Sequence, residues 1–337
     1  VTDLLTIAEW QGIQRVFITG DGDSYHAARG VEMAFENIAG IPCEPMSAQH
    51  FFDYGAEWMP IKQPNDTLLL AISASGKTKR VVQSIERANE YGALTIAITG
   101  TADSPITQVA NRQLVVALPN MGPSPGIRTY NASLMGLYLI AIRLGEVQGQ
   151  YSTSEAQLLR SEIANLDTIM AATLAATQSV SQEIVNTLKG AQTMIWVGSG
   201  PSYGTAMFNA AKVVEAAGLF AVGQDLEEWW HVERFCYPDD MPVFLIAPPG
   251  RSYGRAVALA KTAKAIGHRL VAFVEEGDQE IPPLADFVVP VVGQVREEFS
   301  PLVYHLAANF IASYWAENLG RMLFHSDDVA YRQAAMQ

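Results

Sequence analysis

Short apolar segments alternate along this chain with longer segments of helical periodicity, and this alternation limits the folds open to it. In the first half the apolar segments are Arg15–Thr19, Thr67–Ser73, Leu94–Thr99 and Gln113–Ala117. They are bounded by Gly, Asp or Pro, as is typical of strands buried on both faces of a parallel sheet. The helical segments between them are Tyr25–Ile38, Thr78–Tyr91 and Ser104–Asn111. The pattern predicts a doubly wound α/β sheet.

The second half of the chain repeats this order. Its strand-like segments are Thr193–Val197, Val243–Ala247, Arg269–Val274 and Phe287–Val291. The Gly-x-Gly-x-Ser-Tyr pattern at Gly20 recurs 178 positions later, at Gly198. A repeat far longer than a solenoid unit indicates a tandem duplication. We expect a first domain over residues 1–151, a helical linker over 152–190 and a second domain over 191–337, both domains being three-layer αβα units of the flavodoxin-like type.

The composition narrows the class of protein. With 22 Lys and Arg against 35 Asp and Glu, the net charge is −13. This disfavours nucleic-acid binding, which depends on Lys and Arg at phosphates. The apolar segments are too short to span a membrane, and two cysteines, Cys43 and Cys236, cannot form a disulfide framework or a zinc cage. We therefore expect a soluble, cytoplasmic protein without a metal.

The segment Ser73–Thr78 reads Ser-Ala-Ser-Gly-Lys-Thr, and it follows a buried strand and opens a helix. Free N–H groups and the helix dipole attract an anion at such a position. Ser73, Ser75 and Thr78 add hydroxyl donors, and Gly76 allows a ligand to approach closely. The segment therefore suits a phosphate, although an ordinary turn with serine caps explains the local pattern equally well.

Two nucleotide-binding motifs come close to this region without matching it. A P-loop would need glycine where the chain has Ala71. A dinucleotide fingerprint that starts at Gly20 would need glycine where the chain has Tyr25. Both nucleotide sites are therefore disfavoured.

Lys212 and Glu215 lie on a predicted helix in the second half, and His231 follows that helix. A carboxylate and an imidazole near a phosphate site suit proton transfer on a sugar phosphate. A solvated helix face and an ordinary surface histidine explain the same residues, and periodicity alone favours this simpler interpretation.

The repeat, the Ser-x-Ser-Gly-x-Thr turn in the first copy and the Gly-x-Gly-x-Ser-Tyr openings together resemble the tandem sugar isomerase (SIS) domain family. The resemblance covers nearly the whole chain. Members include the isomerase half of glucosamine-6-phosphate synthase, phosphosugar deaminases and fructosamine-6-phosphate deglycases. The resemblance implies that Ser73, Ser75 and Thr78 bind the substrate phosphate and that Ser24 contacts the sugar.

In the second copy the resemblance implies catalytic roles. The sequence Lys212-Val-Val-Glu215 is similar to the family's Lys-x-x-Glu, whose Glu moves a proton between carbons 1 and 2. His231 follows Glu215 by sixteen positions, as the family's ring-opening histidine follows its base, and Glu228 matches a family Glu three places before that histidine. The second copy has Pro-Pro-Gly-Arg at 248–251 in place of the serine turn, and we expect it not to hold a phosphate in the same way.

Departures from the synthase refine the expected activity. The sequence has no glutaminase domain. The synthase has a substrate lysine near its C-terminal tail, whereas no lysine follows Lys264 in this sequence. Arg332 is a weak substitute for that lysine. The synthase's Ala-Ser-Thr-Lys segment is replaced by one that puts Arg128 near the predicted site. These changes favour a phosphosugar isomerase, deaminase or deglycase acting on a 6-phosphorylated amino sugar, ketose or fructosamine. They disfavour an aminotransferase that uses free ammonia. A non-catalytic sugar-phosphate sensor is the alternative.

We also expect a homodimer with shared active sites, a small-molecule phosphosugar as the substrate and a reaction that needs no metal or organic cofactor. In the family, the histidine that His231 matches reaches across the dimer interface. Trp229 and Trp230 directly precede it, and large aromatic residues are enriched at interfaces. The alternative is that both tryptophans pack into their own domain and that His231 serves its own chain.

Overall fold

A computed structural model describes residues 1–59, 66–119 and 125–335 of the chain. The chain divides into two compact units, of which the first extends to Ala164 and the second continues from Asn165. Within the described ranges, no helix is long and apolar enough to cross a bilayer.

The first unit is built on a parallel five-stranded sheet of order β2-β1-β3-β4-β5. Its strands are β1 (Arg15–Gly20), β2 (Cys43–Ser47), β3 (Thr67–Ile72), β4 (Leu94–Thr99) and β5 (Arg112–Val115). Its helices are α1 (Ile7–Gly12), α2 (Asp23–Asn37), α3 (Ala48–His50), α4 (Lys79–Glu90), α5 (Pro105–Val109), α6 (Ile127–Val147) and α7 (Thr153–Ala164). A π-helical turn, Phe51–Gly55, and a 3-10 turn, Ala56–Trp58, follow α3.

Helices cover both faces of this sheet. On one face, Ala97 of β4 and Val81 of α4 belong to one hydrophobic cluster. On the other face, α6 packs so closely that a Cβ added to Gly136 would lie 3.7 Å from the Ile98 side chain. Because neighbouring residues of a strand point to opposite faces, Ala97 and Ile98 mark the two sides of the sheet. The predicted α/β class with parallel sheets is confirmed.

The second unit has its own parallel sheet, of order β7-β6-β8-β9-β10. Its strands are β6 (Thr193–Gly198), β7 (Phe220–Asp225), β8 (Pro242–Ala247), β9 (Arg269–Glu275) and β10 (Phe287–Val291). Its helices are α8 (Leu166–Leu188), α9 (Pro201–Ala217), α10 (Leu226–His231), α11 (Tyr253–Ile266), α12 (Leu306–Leu319) and α13 (Val329–Ala335). Its 3-10 turns are Glu233–Phe235, Pro282–Leu284, Glu297–Leu302 and Leu323–His325.

The two sheets have the same strand order, and the same glycine geometry follows the first strand of each. Gly22 and Gly200 have φ values of 55° and 56°, and each is the N-cap of the following helix, α2 or α9. Left-handed backbone of this kind favours glycine because it has no Cβ. The segment predicted to link the domains, 152–190, consists mainly of α7 and α8, and each of these helices packs within its own unit.

The edges of both sheets depart from the sequence prediction. The segment Gln113–Ala117 was expected to be buried on both faces, but β5 is an edge strand and most of it is exposed. The sequence analysis found neither β2 nor β7, which occupy the opposite edge of each sheet. Edge strands are only partly covered, so they do not need the continuous apolar pattern that marks the central strands.

Candidate active site

The turn Ser73–Thr78 joins the carboxyl end of β3 to the amino end of α4, where open α/β sheets bind ligands. The Ser73 and Thr78 hydroxyl oxygens lie 2.9 Å apart and form a hydrogen bond across the turn. Ser75 is exposed, and its hydroxyl accepts the Lys77 N–H at 3.3 Å. Three hydroxyls are thus gathered in one turn that opens a helix of 12 residues. This arrangement suits an anion such as a phosphate.

Glycine is the residue type that the turn requires at position 76. Its φ is 68°, in the left-handed region. A Cβ at Gly76 would overlap the side chain of Ser104 and would lie 3.0 Å from the Thr99 hydroxyl. The turn therefore lies directly on the segment that follows β4, and any larger side chain would push it away from that support.

Ser24 lies beside this turn, in the first turn of α2. A Cβ on Gly20 would lie 2.6 Å from the Ser24 Cβ and 3.0 Å from the Ile72 carbonyl oxygen. Since β1 and β3 are neighbouring parallel strands, their carboxyl ends meet at one edge. The structure therefore brings Ser24 to the same edge of the first sheet as the serine turn.

Arg128 is exposed, in the first turn of α6. Its guanidinium donates a hydrogen bond to the Pro119 carbonyl at 3.1 Å. Helix α6 begins so close to α2 that a Cβ on Gly126 would overlap the Asp23 carboxylate. Arg128 therefore belongs to the same edge of the sheet as Ser24, and its guanidinium contacts backbone there.

In the second unit, Lys212 and Glu215 form an ion pair on α9. The Lys212 side chain is 1% exposed, and its Nζ lies 2.5 Å from Glu215 Oε2. The Glu215 side chain is 29% exposed. The ammonium also lies 4.9 Å from the ring centre of Phe208. A carboxylate that is accessible on one side and held by a buried cation on the other is arranged to exchange a proton with a ligand.

His305, which the sequence analysis did not single out, is buried near this pair. Its ring meets the ring of Phe208 edge-on, with the centroids 5.3 Å apart. Burial lowers the pKa of His305 to about 3, and the Lys212 charge acts in the same direction. The imidazole is therefore neutral near pH 7. No local motif distinguishes His305 in the sequence, because its setting depends on how α12 packs on α9.

His231 is 68% exposed, at the end of α10, and its Nε2 lies 3.5 Å from Glu227 Oε1. Arg255 donates two hydrogen bonds to the same carboxylate. The hydrogen bonds from Arg255, and to a smaller extent the contact with His231, hold the pKa of Glu227 below its ordinary value. Glu228 is exposed on the same short helix. His231 and Glu228 are therefore both open to a ligand or to another chain.

The tryptophans that precede His231 do not form the exposed surface that we expected. Trp229 is fully buried and belongs to the hydrophobic core of its own unit. Trp230 is partly buried against the same core, and the Arg255 guanidinium lies 4.1 Å from its ring centre. The prediction that Trp229 faces a partner is wrong, because the Leu226 and Trp229 face of α10 is the face that covers the second sheet.

Glu215 and His231 are not brought together within the second unit. Glu215 lies in the last turn of α9, shortly before β7 begins at Phe220. His231 lies beyond the carboxyl end of β7, which is Asp225. A strand of six residues spans about 17 Å between its first and last Cα atoms. The two side chains therefore occupy opposite edges of this sheet.

The second unit carries a carboxylate where the first unit has its serine turn. Residues 248–251 follow β8 as the serine turn follows β3. The Arg251 N–H lies 3.1 and 3.2 Å from the two carboxylate oxygens of Glu297. A Cβ on Gly250 would overlap that carboxylate. The Glu297 carboxylate thus accepts the hydrogen bond from the Arg251 N–H that a bound anion would otherwise accept.

Potential metal ligands are not clustered in the part of the chain that the structure describes. There, no group of three or more His, Cys, Asp or Glu side chains is placed to hold a metal ion.

Comparison with known proteins agrees with this fold. Residues 11–143 match the family model of the SIS domain. A curated relative, the isomerizing glutamine–fructose-6-phosphate aminotransferase of Thermococcus kodakarensis, is 26% identical over 306 residues, which are 90% of this chain and 49% of the relative. The chain spans about half the length of the curated relatives it matches.

Solved structures share this fold at low sequence identity. The C-terminal domain of glucosamine-fructose-6-phosphate aminotransferase from Francisella tularensis superposes with a TM-score of 0.83 at 16% identity, covering 94% of this chain and 88% of that one. Glucosamine-6-phosphate deaminase from Thermotoga maritima gives a TM-score of 0.72 at 18% identity, covering 94% and 89%. At these identities, the likeness shows the fold that the chain has in common with them.

Proposed function

We propose that the whole chain is a tandem pair of SIS domains and a phosphosugar isomerase-type enzyme. Its substrate would be a 6-phosphorylated amino sugar, ketose or fructosamine. The observation that carries this proposal is the Lys212–Glu215 pair, in which a buried ammonium holds a partly exposed carboxylate. The common strand order of the two sheets and the matched geometry of Gly22 and Gly200 support the duplication.

In this proposal the serine turn binds the substrate phosphate through Ser73, Ser75, Thr78 and the backbone at Gly76. Ser24 contacts the sugar at the same edge of the sheet. The phosphate lies on carbon 6 and the reaction takes place at carbons 1 and 2. The phosphate contacts therefore orient the substrate and take no part in bond making.

Glu215 is the proposed base. With Glu228 binding the substrate and His231 assisting the opening of the sugar ring, Glu215 takes a proton from carbon 1 or carbon 2. The electron pair of that C–H bond then moves into an enediol or enolamine. Return of the proton to the other carbon completes an isomerisation. When the intermediate is an enolamine, the same return of the proton gives an imine, and a water molecule hydrolyses its C=N bond to a carbonyl with release of the amine, which completes a deamination or deglycation. The Lys212 ammonium, 2.5 Å from Glu215 Oε2, holds the carboxylate in position for this transfer.

The separation of Glu215 and His231 within one chain supports a homodimer as the working unit. In a two-fold dimer the same surface patch of each protomer faces the other protomer. His231 of one protomer would then complete the site around the partner's Glu215. The high exposure of His231 fits this role, although the buried Trp229 does not contribute to such an interface.

A substrate screen in D2O tests the proposed reaction. The wild-type chain and Glu215→Gln are incubated with 6-phosphosugars, their amino forms and their amino-acid adducts, and proton NMR follows the carbon 1 and carbon 2 hydrogens. We expect at least one compound to exchange a hydrogen for deuterium and to form a product with wild type only. Binding of a phosphosugar without exchange or product would refute an enzyme and favour a sugar-phosphate sensor.

A further inference from the structure

Beneath the serine turn lies a second segment, residues 99–106, which connects β4 to α5. The Gly100 N–H donates to the Ala74 carbonyl at 3.1 Å, and the Ile106 N–H donates to the Gly76 carbonyl at 3.0 Å. Carbonyl oxygens repel an anion, and here two carbonyls of the turn are bound by this underlying segment. The segment thus helps to keep the turn suited to a negatively charged ligand.

Ser104 is the side chain of this segment that contacts the turn most closely. It is 3% exposed, and its Oγ and Cβ occupy the space that a side chain at Gly76 would need. The residue before it, Asp103, is exposed and has a φ of 53°. A non-glycine residue in the left-handed region costs free energy, and such strain is often found at functional sites.

The Ser104 hydroxyl is buried and has no hydrogen-bond partner in the described part of the structure. Although Ser104 is the N-cap of α5, its side chain makes no capping hydrogen bond. A buried hydroxyl without a partner destabilises a fold, and alanine would fill nearly the same space without that cost. Packing alone therefore does not account for a serine at this position.

We propose that Ser104 is a positioning residue for the serine turn, with a hydroxyl that gains its hydrogen bond when an anion binds. This inference rests on the proposed phosphate site. An anion competes for the hydroxyls of Ser73 and Thr78, which form a hydrogen bond with each other across the turn. As the turn adjusts, a carbonyl oxygen of its backbone can accept a hydrogen bond from the Ser104 hydroxyl, which is the buried donor next to the turn. The anion-bound form of the turn is then stabilised relative to the empty form.

The proposal predicts opposite effects on stability and on binding. Ser104→Ala removes an unsatisfied hydroxyl, so the ligand-free variant should melt at the same temperature as wild type or higher. Its affinity for inorganic phosphate should fall about fivefold to tenfold, because the bound form loses one hydrogen bond. With a substrate in hand, the same change should appear as a higher KM with little change in kcat.

A matched control is Ser84→Ala. Ser84 is fully buried in the same unit, but its hydroxyl donates to the Ala48 carbonyl at 3.1 Å and the Arg80 carbonyl at 2.9 Å. This variant should melt at a lower temperature than wild type and bind phosphate with unchanged affinity. Ser104→Thr, which keeps the hydroxyl, should retain more of the affinity than Ser104→Ala.

Thermal melts without ligand and calorimetric titrations with inorganic phosphate distinguish the outcomes. If wild type binds phosphate and Ser104→Ala binds it equally well, the role proposed for Ser104 is refuted, while the proposed phosphate site is supported. A lower melting temperature of ligand-free Ser104→Ala also refutes the proposal, since it would mean that the hydroxyl is already bonded. If phosphate binding is absent in wild type, the proposed phosphate site itself is wrong.

Discussion

Glu215 and His231 lie at opposite ends of strand β7, one in the helix turn that precedes the strand and the other in the helix that follows it. The six-residue strand between them spans about 17 Å between its first and last Cα atoms. This separation is the reason that we propose a catalytic pair formed by Glu215 of one copy of the chain and His231 of a second copy.

Complementation tests this proposal. Glu215→Gln and His231→Ala chains, each inactive alone, are mixed under conditions of demonstrated subunit exchange. Random pairing makes half of the dimers heterodimers, and one of the two sites in each holds both native residues, so about a quarter of wild-type activity should return. Absence of recovery would show that Glu215 and His231 do not form a shared site.

The serine turn should dominate binding of the phosphate. Ser75→Ala with Thr78→Ala removes two charge-assisted hydrogen bonds, worth about 1.5–3 kcal/mol each, so phosphate affinity should fall at least about a hundredfold. Calorimetric titration with a phosphosugar measures this directly. Ser154→Ala, at an exposed serine of α7, is the control and should bind as wild type does. Equal affinity of the double variant and the control would exclude the turn as the phosphate site.

The Lys212 ammonium should matter more for turnover than for stability. Removal of one partner of an ion pair is costly when it leaves the other charge buried and unpaired. Lys212→Met fills the same buried space with an apolar side chain and leaves Glu215, which is 29% exposed, in contact with water, so the melting temperature should change little. We expect kcat to fall at least about tenfold, because the contact from Lys212 Nζ holds the Glu215 carboxylate in position and a displaced catalytic group loses rate steeply. Lys261→Met, at an exposed lysine of α11, should leave both quantities unchanged. An active Lys212→Met enzyme would contradict the role of the ion pair.

Burial of neutral His305 should make the second unit sensitive to acid. Burial lowers its pKa in the folded state to about 3 from an ordinary value of 6.5, so unfolding takes up a proton below about pH 6.5. The free energy of unfolding should therefore fall as the pH drops, by about 2 kcal/mol between pH 7 and pH 5 from this group alone.

Denaturant unfolding at the two pH values measures this slope. His305→Gln should reduce it, because glutamine does not titrate, while His325→Gln, at an exposed histidine, should keep the slope of wild type. The same slope in His305→Gln would mean that other groups account for the acid sensitivity.

Much of the fold could be predicted because the relevant signals are local. Central strands such as β3 and β4 are buried along their whole length and are therefore apolar throughout, so they are visible in the sequence. The serine turn is likewise contained in six consecutive residues, and its glycine and hydroxyls are visible without a structure. Whether the predicted site residues have the assigned roles is the subject of the experiments above.

The sequence by itself determined the alternation of strands and helices, the repeat and the chemistry of the serine turn, because each depends on residues close together in the chain. Tertiary structure decided that Trp229 is a core residue, that Glu297 approaches Arg251 across 46 positions, and that Ser104 lies under Gly76. It also decided that β7 separates Glu215 from His231. Such relationships depend on which elements pack side by side, and the free energy of packing is shared among many residues far apart in the chain.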